Sequence, residues 1–186
     1  MKALLTKYKA VLRFLGLFFG VYLLLSLGYG FYLQKAASTH YYPEIITNTL
    51  TKQAAVIVEA LGYKAEFSPH PEEASMRFAV DGSYVARVVE GCNAVSVMIL
   101  FVAFVFAFWQ GVKPTLFFAL AGIVIIYVLN VIRVALFVIS LKQYPQYRDF
   151  LHDIAFPGVI YGVVFLLWVY WIKKIPVQKV SHAKVD

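Results

Sequence analysis

Four long apolar runs dominate the chain and predict four membrane-spanning helices. A helix needs roughly 20 mostly apolar residues to cross the hydrocarbon core of a bilayer. The first run is too long for the apolar part of a signal peptide, and aromatic residues stand where small ones would mark a cleavage site. We therefore expect all four runs to be retained as spans: approximately Val11–Leu33, Ala94–Val112, Thr115–Leu141 and Ile154–Ile172.

The segment between the first two runs has a different pattern, with helical and then strand periodicity. Apolar residues at spacings of three, four and seven predict an amphipathic helix that begins near Pro43 and ends at Gly62. Two short alternating stretches, Met76–Val80 and Tyr84–Val89, flank Asp81-Gly82, a favoured pair for a tight hairpin turn. The second predicted strand leads directly to Glu90-Gly91-Cys92.

Composition agrees with a membrane protein. The chain is 61% hydrophobic and only 15% charged, and its mean hydropathy is +0.73, so a soluble domain of this length could not bury its apolar surface. We predict an all-α polytopic membrane protein with four transmembrane helices and a small extracytoplasmic α+β segment. The predicted regions are an N-terminal segment with span one (1–33), the helix and hairpin segment (34–91), a three-helix core (92–172) and a basic tail (173–186).

The basic residues predict the orientation. They flank the start of span one, the turn between spans two and three, and the end of span four: Lys2, Lys7, Lys9, Arg13, Lys113, Lys173, Lys174, Lys179 and Lys184. Placing them in the cytoplasm puts both termini inside and leaves every acidic residue except Asp186 outside. The net charge of +7 is thus a topology signal and gives no reason to expect a nucleic-acid partner.

Cys92 is the only cysteine and precedes span two, on the side predicted to be outside. A helix N-terminus favours a thiolate over a thiol, so Cys92 is a candidate nucleophile. The plainer interpretation is a small buried hydrophobic residue. A single cysteine excludes an intramolecular disulfide and a multi-cysteine metal site.

Arg133 interrupts the apolar run of span three, where an arginine is costly and usually serves a pathway or a site. The alternative is a side chain that extends to the interface. Asn130 lies three residues earlier on the same face and is a candidate partner for the guanidinium or a substrate carbonyl.

His152 stands at the start of span four, on the same predicted side as Cys92. A neutral imidazole can take a proton from a thiol and return it to a leaving amine, and Asp149 and Asp153 are nearby acids that could orient it. Considered by itself, His152 is predicted to be a solvent-exposed histidine in a loop. The sequence has no metal-binding or phosphate-loop motif, so we expect no metal and no cofactor.

These motifs together resemble the exosortase/archaeosortase family. The resemblance rests on Glu90-Gly91-Cys92-Asn93-Ala94, on Asn130-Val131-Ile132-Arg133 and on His152, and covers roughly the last half of the chain. The small size and the long segment after one helix look most like the F-type exosortases of Bacteroidota. Many exosortases have Ser-Gly or Thr-Gly after the cysteine, where this chain has Asn93-Ala94.

The resemblance implies a cysteine transpeptidase of the bacterial inner membrane. It implies catalytic roles for Cys92, Arg133 and His152, with Glu90, Asn93, Asn130 and Asp153 as substrate-binding or supporting residues. The implied partner is an exported protein with a C-terminal sorting signal, which consists of a short motif, a transmembrane helix and a basic cluster. The active site would face the periplasm.

Other classes remain open from the residues. A non-catalytic scaffold predicts that Cys92→Ala is silent, and a purely hydrolytic protease differs only in the nucleophile that resolves the thioester. A transporter or channel subunit predicts many polar residues in the spans, yet besides Asn130 and Arg133 there are few: Ser26, Ser96 and Ser140.

Overall fold

The computed structural model describes residues 8–36 and 43–174 of the chain. It is mostly helical, with one small antiparallel sheet whose strand order is β1-β2-β3. The main elements are α1 (Lys9–Ala36), α2 (Ile45–Ala60), β1 (Ala65–Pro69), β2 (Ser75–Val80), β3 (Ser83–Val89), α3 (Val95–Ala107), α4 (Val112–Gln143) and α5 (Phe156–Lys173).

Within the described residues, three helical stretches are long and apolar enough to cross a bilayer: Val11–Ala36, Val112–Gln143 and Pro145–Lys173. They correspond to predicted spans one, three and four. Large apolar side chains on α1 are widely exposed, for example Leu24 at 71% and Phe31 at 65%. Such a surface suits contact with lipid rather than water.

Predicted span two is shorter than expected. Helix α3 has 13 residues and is therefore about 20 Å long, against roughly 30 Å of hydrocarbon. The chain turns at Gly111, whose φ of 102° suits glycine. Two hydrogen bonds tie this turn to the end of α5, from Gln110 Nε2 to the Trp171 carbonyl oxygen at 3.1 Å and from Trp171 Nε1 to that of Phe108 at 3.2 Å.

Helix α4 connects two separate hydrophobic cores. Its 32 residues make it about 48 Å long, longer than a span requires. Its first half packs with α3 and α5 around buried Phe101, Ile126 and Val164. Its second half packs against α2 and the sheet, where Val134 and Val138 meet Leu50.

The segment 43–91 forms a compact α+β unit. The helix predicted from Pro43 begins at Ile45, because the Glu44 side chain accepts the backbone N–H of Thr47 and caps it. Asp81 and Gly82 both have positive φ, as a two-residue hairpin turn requires. The predicted two-stranded hairpin was incomplete, because residues 65–69 add a third strand beside β2.

The chain enters its last helix through irregular turns. A 3-10 turn at Pro145–Tyr147 and one α-helical turn lead into a π-helical segment, Leu151–Ala155, before α5. The predicted span from Ile154 therefore begins with π geometry, which is frequent at functional sites.

Some sequence predictions lie outside the described residues: those on Lys2 and Lys7, on the segment 37–42 that joins α1 to α2, and on the basic tail after Lys174.

Candidate active site

Cys92 lies at the seam between the two cores. Strand β3 runs into a short 3-10 turn, Glu90–Cys92, and α3 begins three residues later at Val95. The half-buried Cys92 packs against the core formed by α2 and the sheet, whereas Ala94 is buried in the core formed by α3, α4 and α5. The fold therefore fixes the backbone on both sides of the thiol.

Asn93 anchors this backbone through a buried polar network. Its Oδ1 accepts the N–H of Val95, the first residue of α3, at 2.9 Å. Its Nδ2 donates to Glu44 Oε1 and to Tyr29 Oη, each at 2.8 Å. Since Glu44 also accepts the Thr47 hydroxyl, one network joins α1, α2 and the residue after the thiol.

Ala94 adopts a conformation that favours glycine. Its φ is 60° and ψ 13°, in the left-handed region, where a Cβ atom is strained. The left-handed residue lets the chain leave the Cys92 turn and enter α3 directly.

Asn130 and Arg133 approach the thiol from α4. Asn130 is fully buried, and its Nδ2 donates to the carbonyl oxygen of Cys92 at 2.7 Å. Its Oδ1 accepts a hydrogen bond from Arg133 Nη1 at 3.1 Å. In residues 8–36 and 43–174 no carboxylate lies within ion-pair distance of Arg133, so this cation remains available for an anionic group.

His152 approaches from the opposite side, on the π-helical segment. Its Nδ1 lies 2.6 Å from Asp153 Oδ1, and both side chains are more than half exposed, at 56% and 68%. The ring also lies 5.8 Å from that of Phe137. The carboxylate favours a tautomer with the proton on Nδ1, which leaves Nε2 as the acceptor.

One cavity of about 310 Å³ brings the three candidates together. Cys92, Arg133 and His152 all line it, and we call it the Cys92 cavity. The rest of the cavity wall is mainly apolar. It includes Val97 of α3 and three residues of α5: Pro157, Ile160 and Tyr161.

The supporting residues named from the sequence separate in space. Asn130 and Asp153 contact Cys92 and His152, respectively. Asn93 points away from the cavity into the buried network, and the exposed Glu90 does not line the cavity. Asp149 makes no hydrogen bond to His152 within the described residues, but both side chains line a neighbouring cavity.

Sequence reasoning missed Glu44, Thr47 and Tyr29 as parts of the site. Glu44 counted only as an acidic residue outside the membrane, although its place before an amphipathic helix is a capping signal. Nothing in the local sequence marks Tyr29, because its partner Asn93 is 64 residues away.

One family of known proteins matches the chain over most of its length. A family model described as transmembrane exosortase (Exosortase_EpsH) matches residues 4–170, a range that contains Cys92, Arg133 and His152. No curated protein and no solved structure gives a significant match. Since the matched range covers most of the 186 residues, this chain belongs to the transmembrane exosortase family.

Proposed function

We propose that the protein is a cysteine transpeptidase that cleaves the C-terminal sorting signal of exported proteins and transfers them to an acceptor. The observation that carries this proposal is the cavity shared by Cys92, Arg133 and His152. A thiol, an unpaired cation and an imidazole are the groups that acyl transfer through a thioester needs. The membrane family supports the same reaction class.

In the proposed reaction the Cys92 sulfur attacks the scissile carbonyl carbon. A sulfur–carbon bond forms and the carbon–nitrogen bond breaks. His152 takes the thiol proton and gives it to the leaving amine. An acceptor amine or hydroxyl, or water, then attacks the thioester and releases Cys92 as the thiolate, while its own proton goes to His152.

Arg133 supplies the positive charge in this scheme. Negative charge builds up on the carbonyl oxygen in the transition state, and a fixed cation in a site of low dielectric stabilises it strongly. Arg133 is held by Asn130 and lacks a carboxylate partner among the described residues. Its charge is therefore not already neutralised before the substrate binds.

The cavity wall supports a substrate that is partly in the membrane. The apolar helices α3 and α5 offer an apolar surface beside the thiol, formed by Val97, Ile160 and Tyr161. A substrate helix could lie there with its motif level with Cys92. The basic residues favour cytoplasmic termini, which puts the site at the periplasmic face of the inner membrane.

We also infer the F-type subgroup. The arrangement of helix α1 followed by the α+β segment 43–91 supports it. A purely hydrolytic protease would use the same residues, and the identity of the product separates the two.

The test is co-expression with a reporter that carries a candidate sorting signal from an exported protein of the source genome. Wild type should shorten the reporter and form a hydroxylamine-sensitive adduct with it, whereas Cys92→Ala should do neither. Ser96→Ala, which removes an exposed hydroxyl from the first turn of α3, is the matched control and should behave as wild type. Normal processing by Cys92→Ala at equal membrane levels would exclude the thioester mechanism.

Mass analysis of the shortened reporter then identifies the nucleophile. An added acceptor group on the new C-terminus indicates transfer, and a free carboxylate indicates hydrolysis.

A further inference from the structure

The sheet has two edges, and only one of them leads to the candidate active site. In the order β1-β2-β3, both outer strands pair on one side only. Among the described residues, no strand pairs with the free edge of β3. This strand ends at Val89, directly before the turn that carries Cys92. An unpaired strand edge is a template for an additional strand.

The free edge of β3 borders a groove that is continuous with the Cys92 cavity. A second cavity of about 340 Å³ shares Val89, Cys92 and His152 with it. A third, of about 530 Å³, continues along β3 and shares Tyr84, Val85, Leu141 and Arg148 with the second. We call the second and third cavities together the β3 groove.

The two walls of the β3 groove differ in kind. One wall is β3 itself, from Ser83 to Val89. The other is the end of α4 and the irregular turns before α5, including Phe137, Leu141, Arg148 and His152. The groove therefore has a strand on one side and the catalytic imidazole near its inner end.

The charges of the groove favour an acidic occupant. Its cations are Arg87, Lys142 and Arg148, against the single carboxylate Asp149. Arg87 is paired with Glu73, and the Lys142 ammonium donates to a carbonyl and a hydroxyl oxygen. Arg148 has no ion pair in the described part of the chain, so it can receive a carboxylate from a ligand.

We propose that the substrate binds as an added β-strand along the free edge of β3, with an acidic side chain towards Arg148. The occupant is the extended segment of the sorting signal on the non-membrane side of the scissile bond. Backbone hydrogen bonds from β3 would supply binding that is independent of side chains, as in other strand-addition complexes. This inference rests on the proposed function, because it requires a peptide substrate at Cys92.

Strand addition also explains how the scissile bond is positioned. A peptide that follows β3 towards Val89 arrives at the Cys92 turn in an extended conformation. The segment beyond the bond then enters the Cys92 cavity, where the wall is apolar. The register on β3 would therefore decide which carbonyl meets the thiol.

Disulfide trapping tests this register. Cys92→Ala removes the only native thiol, so single cysteines can be introduced at Arg87 or Val89, both exposed on β3. Each is paired with cysteines placed in turn along the reporter's sorting signal. Moving the enzyme's cysteine from Arg87→Cys to Val89→Cys should move the best-trapped substrate position by about two residues, the side-chain period of a strand.

The other edge of the sheet provides the matched control. Phe67→Cys lies on exposed β1 and should trap the reporter no better than background. Equal trapping from β1 and β3, or trapping from β3 at all substrate positions without a shift, would overturn strand addition.

Charge reversal gives a second readout in the enzyme with Cys92 intact. Arg148→Glu should slow cleavage of a reporter with an acidic residue before the scissile bond by about two- to fivefold, as expected for an exposed ion pair. With a reporter that has lysine at that position, Arg148→Glu should instead cleave faster than wild type. Lys64→Glu, a reversal beside β1, is the control and should have no effect.

The outcomes separate the inference from the function on which it rests. Cleavage by wild type together with unshifted trapping overturns strand addition and leaves the transpeptidase intact. No cleavage by wild type overturns both.

Discussion

The two sides of the candidate site are built differently. On the α4 side, buried Asn130 joins the Cys92 carbonyl to Arg133, and the neighbouring Asn93 lies in a second buried network. On the α5 side, the one polar partner of His152 in the described part of the chain is Asp153, and both side chains are more than half exposed. The first side is fixed by the fold, whereas the second has little to hold it before a substrate covers it.

In the proposed mechanism, this difference separates the residues that position the thiol and the cation from the residue that transfers protons. In that mechanism the thiol and the cation must be placed accurately relative to one carbonyl, and the buried, hydrogen-bonded Asn130 and Asn93 beside them provide that accuracy. A general base has to exchange protons and release products, which an exposed position allows. Substitutions on the two sides should therefore have different effects on stability as well as on rate.

The largest effect on rate without an effect on stability is expected for His152→Gln. Loss of a general acid–base typically costs about 10²–10⁴-fold. The side chain is exposed, so the melting temperature in detergent should not change. The measurement is the single-turnover rate of reporter cleavage, followed with thermal unfolding of the same preparation.

His70→Gln is the control for this prediction, because His70 lies in the α+β segment and does not line the Cys92 cavity or the β3 groove. A fall in melting temperature for His152→Gln would mean that the α5 side is structural.

Arg133→Gln should reduce the rate by about 10²–10³-fold, the usual cost of losing a group that stabilises an oxyanion. The rate of Arg133→Lys should lie between the rates of Arg133→Gln and wild type, because lysine keeps the charge but loses the planar guanidinium that Asn130 holds. Burst measurements of thioester formation check the step affected. Equal activity of the glutamine and wild-type forms would contradict the role of the charge.

Asn130→Ala should affect both stability and rate. It removes hydrogen bonds to the Cys92 carbonyl and to a charged group, at a cost of about 1–3 kcal/mol. The rate should fall less than in Arg133→Gln, because the charge remains. Thermal unfolding in detergent measures the effect on stability, and Asn48→Ala on α2 is a matched control. An unchanged melting temperature for Asn130→Ala would show that the buried network contributes nothing to stability.

Asp153→Asn should have the smallest effect. An exposed pair of this kind contributes at most about 1 kcal/mol, or roughly a fivefold change in rate. The test is the cleavage rate at low and high salt, since screening should weaken the wild-type pair but not the variant. A loss as large as that of His152→Gln would indicate that substrate binding buries the pair.

Part of the fold follows from sequence periodicity. Apolar runs predict the helices that became α1, α4 and α5, because long hydrophobic stretches have few alternatives to crossing a bilayer. The turn at Asp81-Gly82 predicts the hairpin, since both residues tolerate positive φ. The strand β1 escaped detection because Ala65–Pro69 is short and mostly exposed and alternates weakly.

The end of the second apolar run, by contrast, could not be predicted from sequence periodicity. The aromatic residues Phe108 and Trp109 would continue an apolar helix, yet α3 stops at Ala107. The end is set by Gly111 and by hydrogen bonds of Gln110 and Phe108 with Trp171, which lies 61 and 63 residues further along the chain. Hydropathy averages over a run and carries no information about such a distant partner.

The sequence by itself determined the membrane class, the helical runs and the residue types that suit thioester chemistry. These depend on local composition and spacing. Only the tertiary structure decided that Cys92, Arg133 and His152 share one cavity, that Asn130 holds the Cys92 carbonyl, and that Glu44 and Tyr29 support the next residue. Such contacts arise because two hydrophobic cores meet at one seam, and their positions depend on how α4 packs against both.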